Sequence, residues 1–419
     1  MVRSIVLSLA LLICSTVARA ETTPPPEGWE TFAVRKEIAP GFRGDQQTLA
    51  LYGNGTDATD GRWQKRVPVA GGKHYGFSVQ YETKDVATPG RSVLARVLWF
   101  DAKGKQIERA EYPVLTAASR EDSAPKTLAA TYEAPDTAVT AQLELHLRWT
   151  AKGHVLWKIP QFVETTPPAP RIVRVASVNH RPRGTKVVTE NLEQFGRYID
   201  DAAKQKADIV CLPEGITVVG TRFSYADVAE PVPGPSTQFL SQYAKKHNLY
   251  IVAGIYERDG KVIYNTSVLI GRDGALMGKY RKVCLPREEI DGGITPGKEY
   301  PVFDTDFGRI GMMICWDLHY PEVARELAQR GAEVIFMPIW GGNETLAKSR
   351  AIENQIHLVA SGYDFPTTIY DRKGEVIAEE KEKSGVIHSE IDLNERVMWP
   401  WLGDWRSRIW REAPVAPGQ

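Results

Sequence analysis

Apolar residues recur along this chain with two different periods, and the change between them divides it. Tyr75, Phe77, Val79 and Tyr81 alternate with Gly76, Ser78 and Gln80, and Leu143, Leu145, Leu147 and Trp149 alternate with Glu144, His146 and Arg148. A period of two places every second side chain on one face, so both runs predict half-buried strands. Val93 to Phe100 predicts another, ending at the turn-forming tetrad Asp101-Ala102-Lys103-Gly104. No helical spacing interrupts this region, so an all-β, jelly-roll-like antiparallel sandwich is expected over residues 21–164.

The segment Thr165-Thr166-Pro167-Pro168-Ala169-Pro170 follows, and its prolines remove donors and hold the backbone extended, which marks a linker over 165–170. Beyond it the period changes. Val188, Leu192, Phe195, Ile199 and Ala202 recur at steps of three and four between apolar strands at Ile172–Val178 and Asp208–Leu212, giving a strand, helix, strand unit. Leu249–Tyr256, Val262–Ile270 and Ala275–Val283 are separated by Arg258-Asp259-Gly260 and Arg272-Asp273-Gly274, turns suited to a meander. Mixed strands and helices predict a layered α/β domain over 171–398. The last stretch, 399–419, crowds Trp399, Trp401, Trp405 and Trp410 among Arg406, Arg408 and Arg411, which predicts a docking tail, read as a dimer arm in preference to a substrate lid.

Composition changes the picture at three points. The 52 Lys+Arg balance 52 Asp+Glu, so no excess of cations argues for a nucleic-acid partner. Arg3, the apolar run Ile5 to Ile13, and the small residues Ala18 and Ala20 read as a cleaved secretory signal over 1–20, which predicts an exported protein, periplasmic or extracellular. No later stretch approaches a spanning length, so no membrane anchor is expected after cleavage. Cys211, Cys284 and Cys315 then remain; three cannot all pair, so at least one thiol is free.

Cys315 ends the run Ile310-Gly311-Met312-Met313-Ile314 and precedes Pro321, which suits a first helical turn. It should therefore sit on the turn between a buried strand and a helix. Taken alone it also reads as a small core hydrophobe. Two further strand ends carry ionisable groups, Leu212-Pro213-Glu214-Gly215 and Lys279-Tyr280-Arg281-Lys282-Val283-Cys284. A carboxylate, an ammonium and a thiol delivered to strand ends form a candidate base, charge stabiliser and nucleophile, although each has a solvated or structural alternative when considered singly. The eight histidines are scattered with no ligand-like spacing, so no metal is expected, and chemistry by a base, a charge stabiliser and a nucleophile needs no cofactor.

In this order the three segments resemble the Glu-Lys-Cys signature of the nitrilase superfamily, the carbon–nitrogen hydrolases, and the similarity continues through Arg350-Ala351-Ile352-Glu353-Asn354. The resemblance covers roughly Arg171 to Leu393. It implies a four-layer α-β-β-α sandwich and a homodimer formed through helices near the cysteine. It also implies Glu214 as general base, Lys282 as oxyanion stabiliser and Cys315 as nucleophile, with the N–H of Trp316 as second oxyanion donor. The second glutamate common in the superfamily corresponds to Glu289 or to Glu288, with the spacing to Thr295-Pro296-Gly297 favouring Glu289. Cys284 departs from the histidine found there in many relatives, which leaves it as a packing thiol or an oxidisable one.

The expected reaction is hydrolysis of a non-peptide C–N bond, in a linear amide or an N-carbamoyl amine. Asp317 in the Cys-Trp-Asp run resembles the amidase and carbamoylase branches, and a nitrile substrate is the alternative. A catalytically silent glycan-binding protein is the competing class, since the front region resembles galactose-binding-like or carbohydrate-binding modules and its tryptophans Trp29, Trp63, Trp99, Trp149 and Trp157 could stack on sugars. The sequons at Asn54, Asn265 and Asn343 read as chance matches, Asn265 because it falls inside a predicted internal strand.

Overall fold

The computed structural model describes residues 24–115, 119, 125–399, 403–409 and 411. The expected signal over 1–20, and Trp401 and Trp410 of the tail, lie outside them. The chain divides into two compact units, one of residues up to Ile107 with Glu111–Thr166, the other of Glu108–Ala110 with the chain from Pro167 onward.

The first unit is built from two antiparallel sheets. One has the order Glu30–Phe32, Asp60–Pro68, Ala138–Arg148, Val93–Asp101 and Gln106–Glu111. The other centres on His74–Lys84, which pairs with His154–Lys158, Lys126–Glu133 and Gln161–Thr165. Alternation explains the core: Tyr75, Phe77, Val79 and Tyr81 of one sheet and Leu143, Leu145 and Leu147 of the other are buried in a single apolar cluster. Trp29, Trp63, Trp99 and Trp157 belong to that cluster, so burial accounts for four of the five tryptophans considered as sugar platforms. Trp149 departs from the expected alternation. Its strand ends at Arg148, the backbone turns to φ 51° at Trp149, and the side chain is left exposed.

The second unit contains two six-stranded sheets. The first runs Leu276–Arg281, Val262–Ile270, Tyr250–Asp259, Ile209–Cys211, Ile172–Asn179 and Gly385–Asp392. The second runs Val302–Asp304, Arg309–Met312, Val334–Pro338, His357–Ser361, Thr367–Tyr370 and Val376–Glu380. Each has three parallel strands at its centre, buried on both faces as parallel strands require.

The helix Val188–Lys204 forms where the sequence spacing places it and buries Leu192, Phe195, Ile199 and Ala202. Full burial of each large apolar side chain contributes roughly 1.5–3 kcal/mol. With Leu240 and Ala244 of the helix Pro235–His247, this face covers Val210, Leu212, Ile251 and Ala253 of the first sheet. The opposite face, carrying Val173, Val175, Cys211 and Val252, packs into one core with Ile310, Val334 and Phe336 of the second sheet. The two sheets are also pinned by polar links, Ser177 Oγ donating to the Ala360 carbonyl at 2.9 Å and Ser361 Oγ to the Val178 carbonyl at 2.7 Å. Val323, Ala324 and Leu327 of the helix Pro321–Gln329 and Ala347 and Ala351 of the helix Glu344–Asn354 complete that core.

The described part of the tail is tied to its own chain. The Arg406 guanidinium donates to the carbonyls of Ala332 at 3.0 Å and Gln355 at 3.3 Å, each just beyond the end of a helix, where unpaired carbonyls attract a cation. Among the described residues no helix is long and apolar enough to cross a membrane.

Candidate active site

Glu214 lies three residues beyond the strand Ile209–Cys211, on a loop laid across the neighbouring strand at Gly254. The Gly254 N–H donates to Pro213 O at 3.2 Å and its carbonyl accepts from Ile216 N at 2.9 Å. A Cβ at Gly254 would stand 2.7 Å from the Glu214 Cα, so only glycine permits this approach. Gly215, at φ 56°, turns the chain immediately after the carboxylate.

Lys282 lies one residue beyond the strand Leu276–Arg281. Its N–H donates to Asn265 O at 2.8 Å and its carbonyl accepts from Gly297 N at 2.7 Å, fixing the backbone on both sides. The side chain is only 1% exposed. Its ammonium is 2.9 Å from Glu214 Oε1 and 3.0 Å from Glu289 Oε1. Glu289 belongs to the short helix Arg287–Asp291, which turns it inward and leaves Glu288 exposed. Sequence spacing left both candidates open; burial separates them.

A fourth side chain completes this cluster. Asn265, fully buried in the strand Val262–Ile270, donates through Nδ2 to Glu214 Oε1 at 2.7 Å and to Glu289 Oε1 at 2.6 Å. Sequence reasoning treated Asn265 only as a chance sequon. The signal that could have found it is an amide in the middle of an apolar strand, since a buried polar group requires a partner.

Cys315 opens the short 3-10 helix Cys315–His319 at a left-handed backbone angle, φ 43°. Asp317 anchors this turn. Its buried carboxylate accepts from Ile314 N at 2.9 Å, Tyr280 Oη at 2.7 Å and Cys284 N at 2.8 Å, joining the Cys315 turn to the strand end that carries Lys282. Burial raises the Asp317 carboxyl above the usual range, against the pull of these donors. Trp316 follows in the same turn, its ring against that of His319 at 4.1 Å between centroids and tilted by 31°. The Cys315 thiol is 3.5 Å from the Gly341 carbonyl and is buried. Cys284 is half-buried against the same core, and burial with Asp317 pushes its thiol up to about 12.

Electrostatics couple the parts. Burial and the Glu214 carboxylate push the Cys315 thiol up to about 12, with Lys282 opposing. The resting sulfur is therefore protonated at neutral pH and needs a base before it can attack. Burial alone would lower the Lys282 ammonium, yet Glu214, Cys315 and Glu289 together hold it above the ordinary lysine range. One cation thus sits between the two carboxyl groups. Among the described residues no group of three or more His, Cys, Asp or Glu gathers as a metal site.

Burial raises the Glu289 carboxyl from 4.5 to about 7, Lys282 pulling against it and Glu214 adding to it. The folded protein therefore keeps a proton that the unfolded chain releases. The stability linked to it is complete below about pH 4.5 and is lost as the pH rises through about 7. Urea midpoints measured from pH 5 to 8 should fall more steeply for the wild type than for Glu289→Gln, which stays neutral throughout. Equal slopes would contradict the assignment.

A family model described as "Carbon-nitrogen hydrolase" matches residues 174–400. Human "Omega-amidase NIT2" is 33% identical over 242 residues, 50% of this chain and 85% of that protein. The zebrafish (Danio rerio) "Omega-amidase NIT2" is 31% identical over 258 residues, 54% of this chain and 88% of that protein. Among solved structures, Saccharomyces cerevisiae Nit3, "a member of branch 10 of the nitrilase superfamily", aligns with a TM-score of 0.48 and 28% identity, covering 53% of this chain and 90% of that one.

Proposed function

Because the chain belongs to the carbon–nitrogen hydrolase family and is an enzyme of that kind, we propose that it hydrolyses a linear amide or an N-carbamoyl amine through a thioester on Cys315. The observation that carries this reading is the buried Lys282 ammonium held between Glu214 and Glu289, within electrostatic reach of the Cys315 thiol.

Glu214 takes the thiol proton as the sulfur forms its bond to the substrate carbonyl carbon. The carbonyl oxygen becomes negative and is stabilised by the Lys282 ammonium and the Trp316 N–H. Collapse breaks the C–N bond, and Glu214 returns its proton to the departing ammonia or amine. Glu214 then removes a proton from water, the resulting hydroxide adds to the thioester, and the acid leaves as Cys315 recovers its proton. Glu289 steadies Lys282 and shares its charge. Glu214 Oε2 and Glu289 Oε2, buried without a protein partner, are the free acceptors in this scheme.

The same reading includes the four-layer α-β-β-α arrangement, a homodimer through the helices near Cys315, export by the leader over 1–20, and a front unit of galactose-binding-like type. The test of the reaction is steady-state ammonia release from a panel of amides, N-carbamoyl amines and nitriles. Turnover of an amide or carbamoyl compound is expected; turnover of nitriles alone would overturn the substrate class.

A further inference from the structure

Asn265 has one amide nitrogen with two hydrogens, and both are spent on glutamates, one on Glu214 Oε1 and one on Glu289 Oε1. The opposite amide orientation would set its carbonyl against two carboxylates, so electrostatics fixes this one. The Lys282 ammonium contacts the same two oxygens. Each Oε1 therefore carries two strong donors, while each Oε2 carries none from the protein and is buried. An oxygen with two donors is a poor proton acceptor, because taking a proton would mean giving up or weakening both. The free oxygen is the better base.

From this asymmetry we infer that Asn265 is the positioning residue that decides which oxygen of Glu214 acts as the base. Its amide rotates the Glu214 carboxylate so that Oε1 is locked to the lysine and Oε2 is left for the thiol, the leaving group and the water in turn. It also supplies neutral donors to two carboxyl groups that share a single cation, which holds them together without a second positive charge. This inference rests on Glu214 being the base, and it assigns Asn265 a role through Glu214 rather than a contact with substrate.

The titratable groups facing the cluster are Lys282, Glu289 and Cys315, with Tyr225 and Tyr256 from one side, Tyr363 with Arg181 behind it from another, and Asp317 beneath the nucleophile's turn. Of these, Lys282 donates to the same two oxygens, so removing Asn265 leaves each Oε1 with one donor where it had two.

The experiment compares Asn265→Ala, Asn265→Asp and Glu214→Gln in the full chain. Two readouts are used: kcat and KM on an amide that the wild type turns over, and the pH dependence of Cys315 alkylation by iodoacetamide, which needs no substrate. For Asn265→Ala, kcat should fall about 50-fold, a part of the roughly 10²–10⁴-fold that a positioned acid–base group contributes, with KM changed by less than about threefold. Asn265→Asp keeps the shape and replaces donors with a third carboxylate, so the alkylation midpoint should move up by about one pH unit. It also guards against the alanine variant failing to fold. If both Asn265 variants keep kcat within about threefold and an unmoved alkylation midpoint while Glu214→Gln is inactive, the inference on Asn265 is overturned and the base assignment stands. If Glu214→Gln itself behaves as wild type, both fall.

Discussion

Replacing Cys315 with alanine should abolish amide turnover, lowering kcat on the order of 10⁴-fold or more, as loss of a nucleophile does when no other group can form the covalent intermediate. The cavity left by one sulfur is small, and the Cys315 thiol makes only weak contacts with backbone, among them 3.5 Å to the Gly341 carbonyl. The fold should therefore be unaffected and the Tm close to wild type. Intact-mass analysis after brief mixing with substrate separates this from a general loss of structure. The wild type should accumulate a species heavier by the acyl group, and Cys315→Ala should show none. An adduct that persists in the variant would place the nucleophile elsewhere, with Cys284 the next thiol to test.

Lys282→Met is expected to be damaging in a different way, because it removes a charge that the buried cluster depends on as well as the oxyanion stabiliser of the proposed reaction. Methionine has nearly the same length, but Glu214 and Glu289 would then face each other in a buried site with only Asn265 between them. Breaking a buried ion pair from one side costs roughly 3–5 kcal/mol, and losing an oxyanion donor costs about 10²–10³ in kcat. Without the cation, one carboxyl must hold a proton more tightly than Glu289 already does. The loss of stability should therefore be larger at pH 8 than at pH 5, following the sign worked out for Glu289. Adding Glu289→Gln to Lys282→Met should recover part of the stability and none of the activity, a separation readable from urea unfolding and ammonia release on the same samples. A single variant as stable as wild type at pH 8 would show that the cluster does not depend on the ammonium.

Much of the second unit was legible because its elements obey local rules. The helix Val188–Lys204 follows from its apolar spacing, and the position of Cys315 between a strand and the helix Pro321–Gln329 follows from Pro321 and the buried run before it. Glu289 and Glu288 were not separable, because a choice between adjacent residues depends on which way a one-turn helix faces, and that is set by its packing. Asn265 and the anchoring role of Asp317 were missed for a related reason. Their partners lie 24 to 51 residues away for Asn265 and, through Tyr280 and Cys284, 33 to 37 away for Asp317, so no local pattern announces them. In the first unit the alternation ran one residue too far at Trp149, where the chain leaves the sheet and no inward face remains to be filled.

The left-handed backbone at Cys315, φ 43°, has an evolutionary corollary. An ordinary side chain held in that region costs on the order of 1–3 kcal/mol, whereas glycine sits there freely and asparagine nearly so. Thermodynamics alone would therefore drive cysteine out of this position, and under the proposed mechanism its role as nucleophile is what retains it. Lineages that gave up hydrolysis and kept the scaffold should have drifted to glycine or asparagine there, so this residue can distinguish working descendants from retired ones before any assay is run.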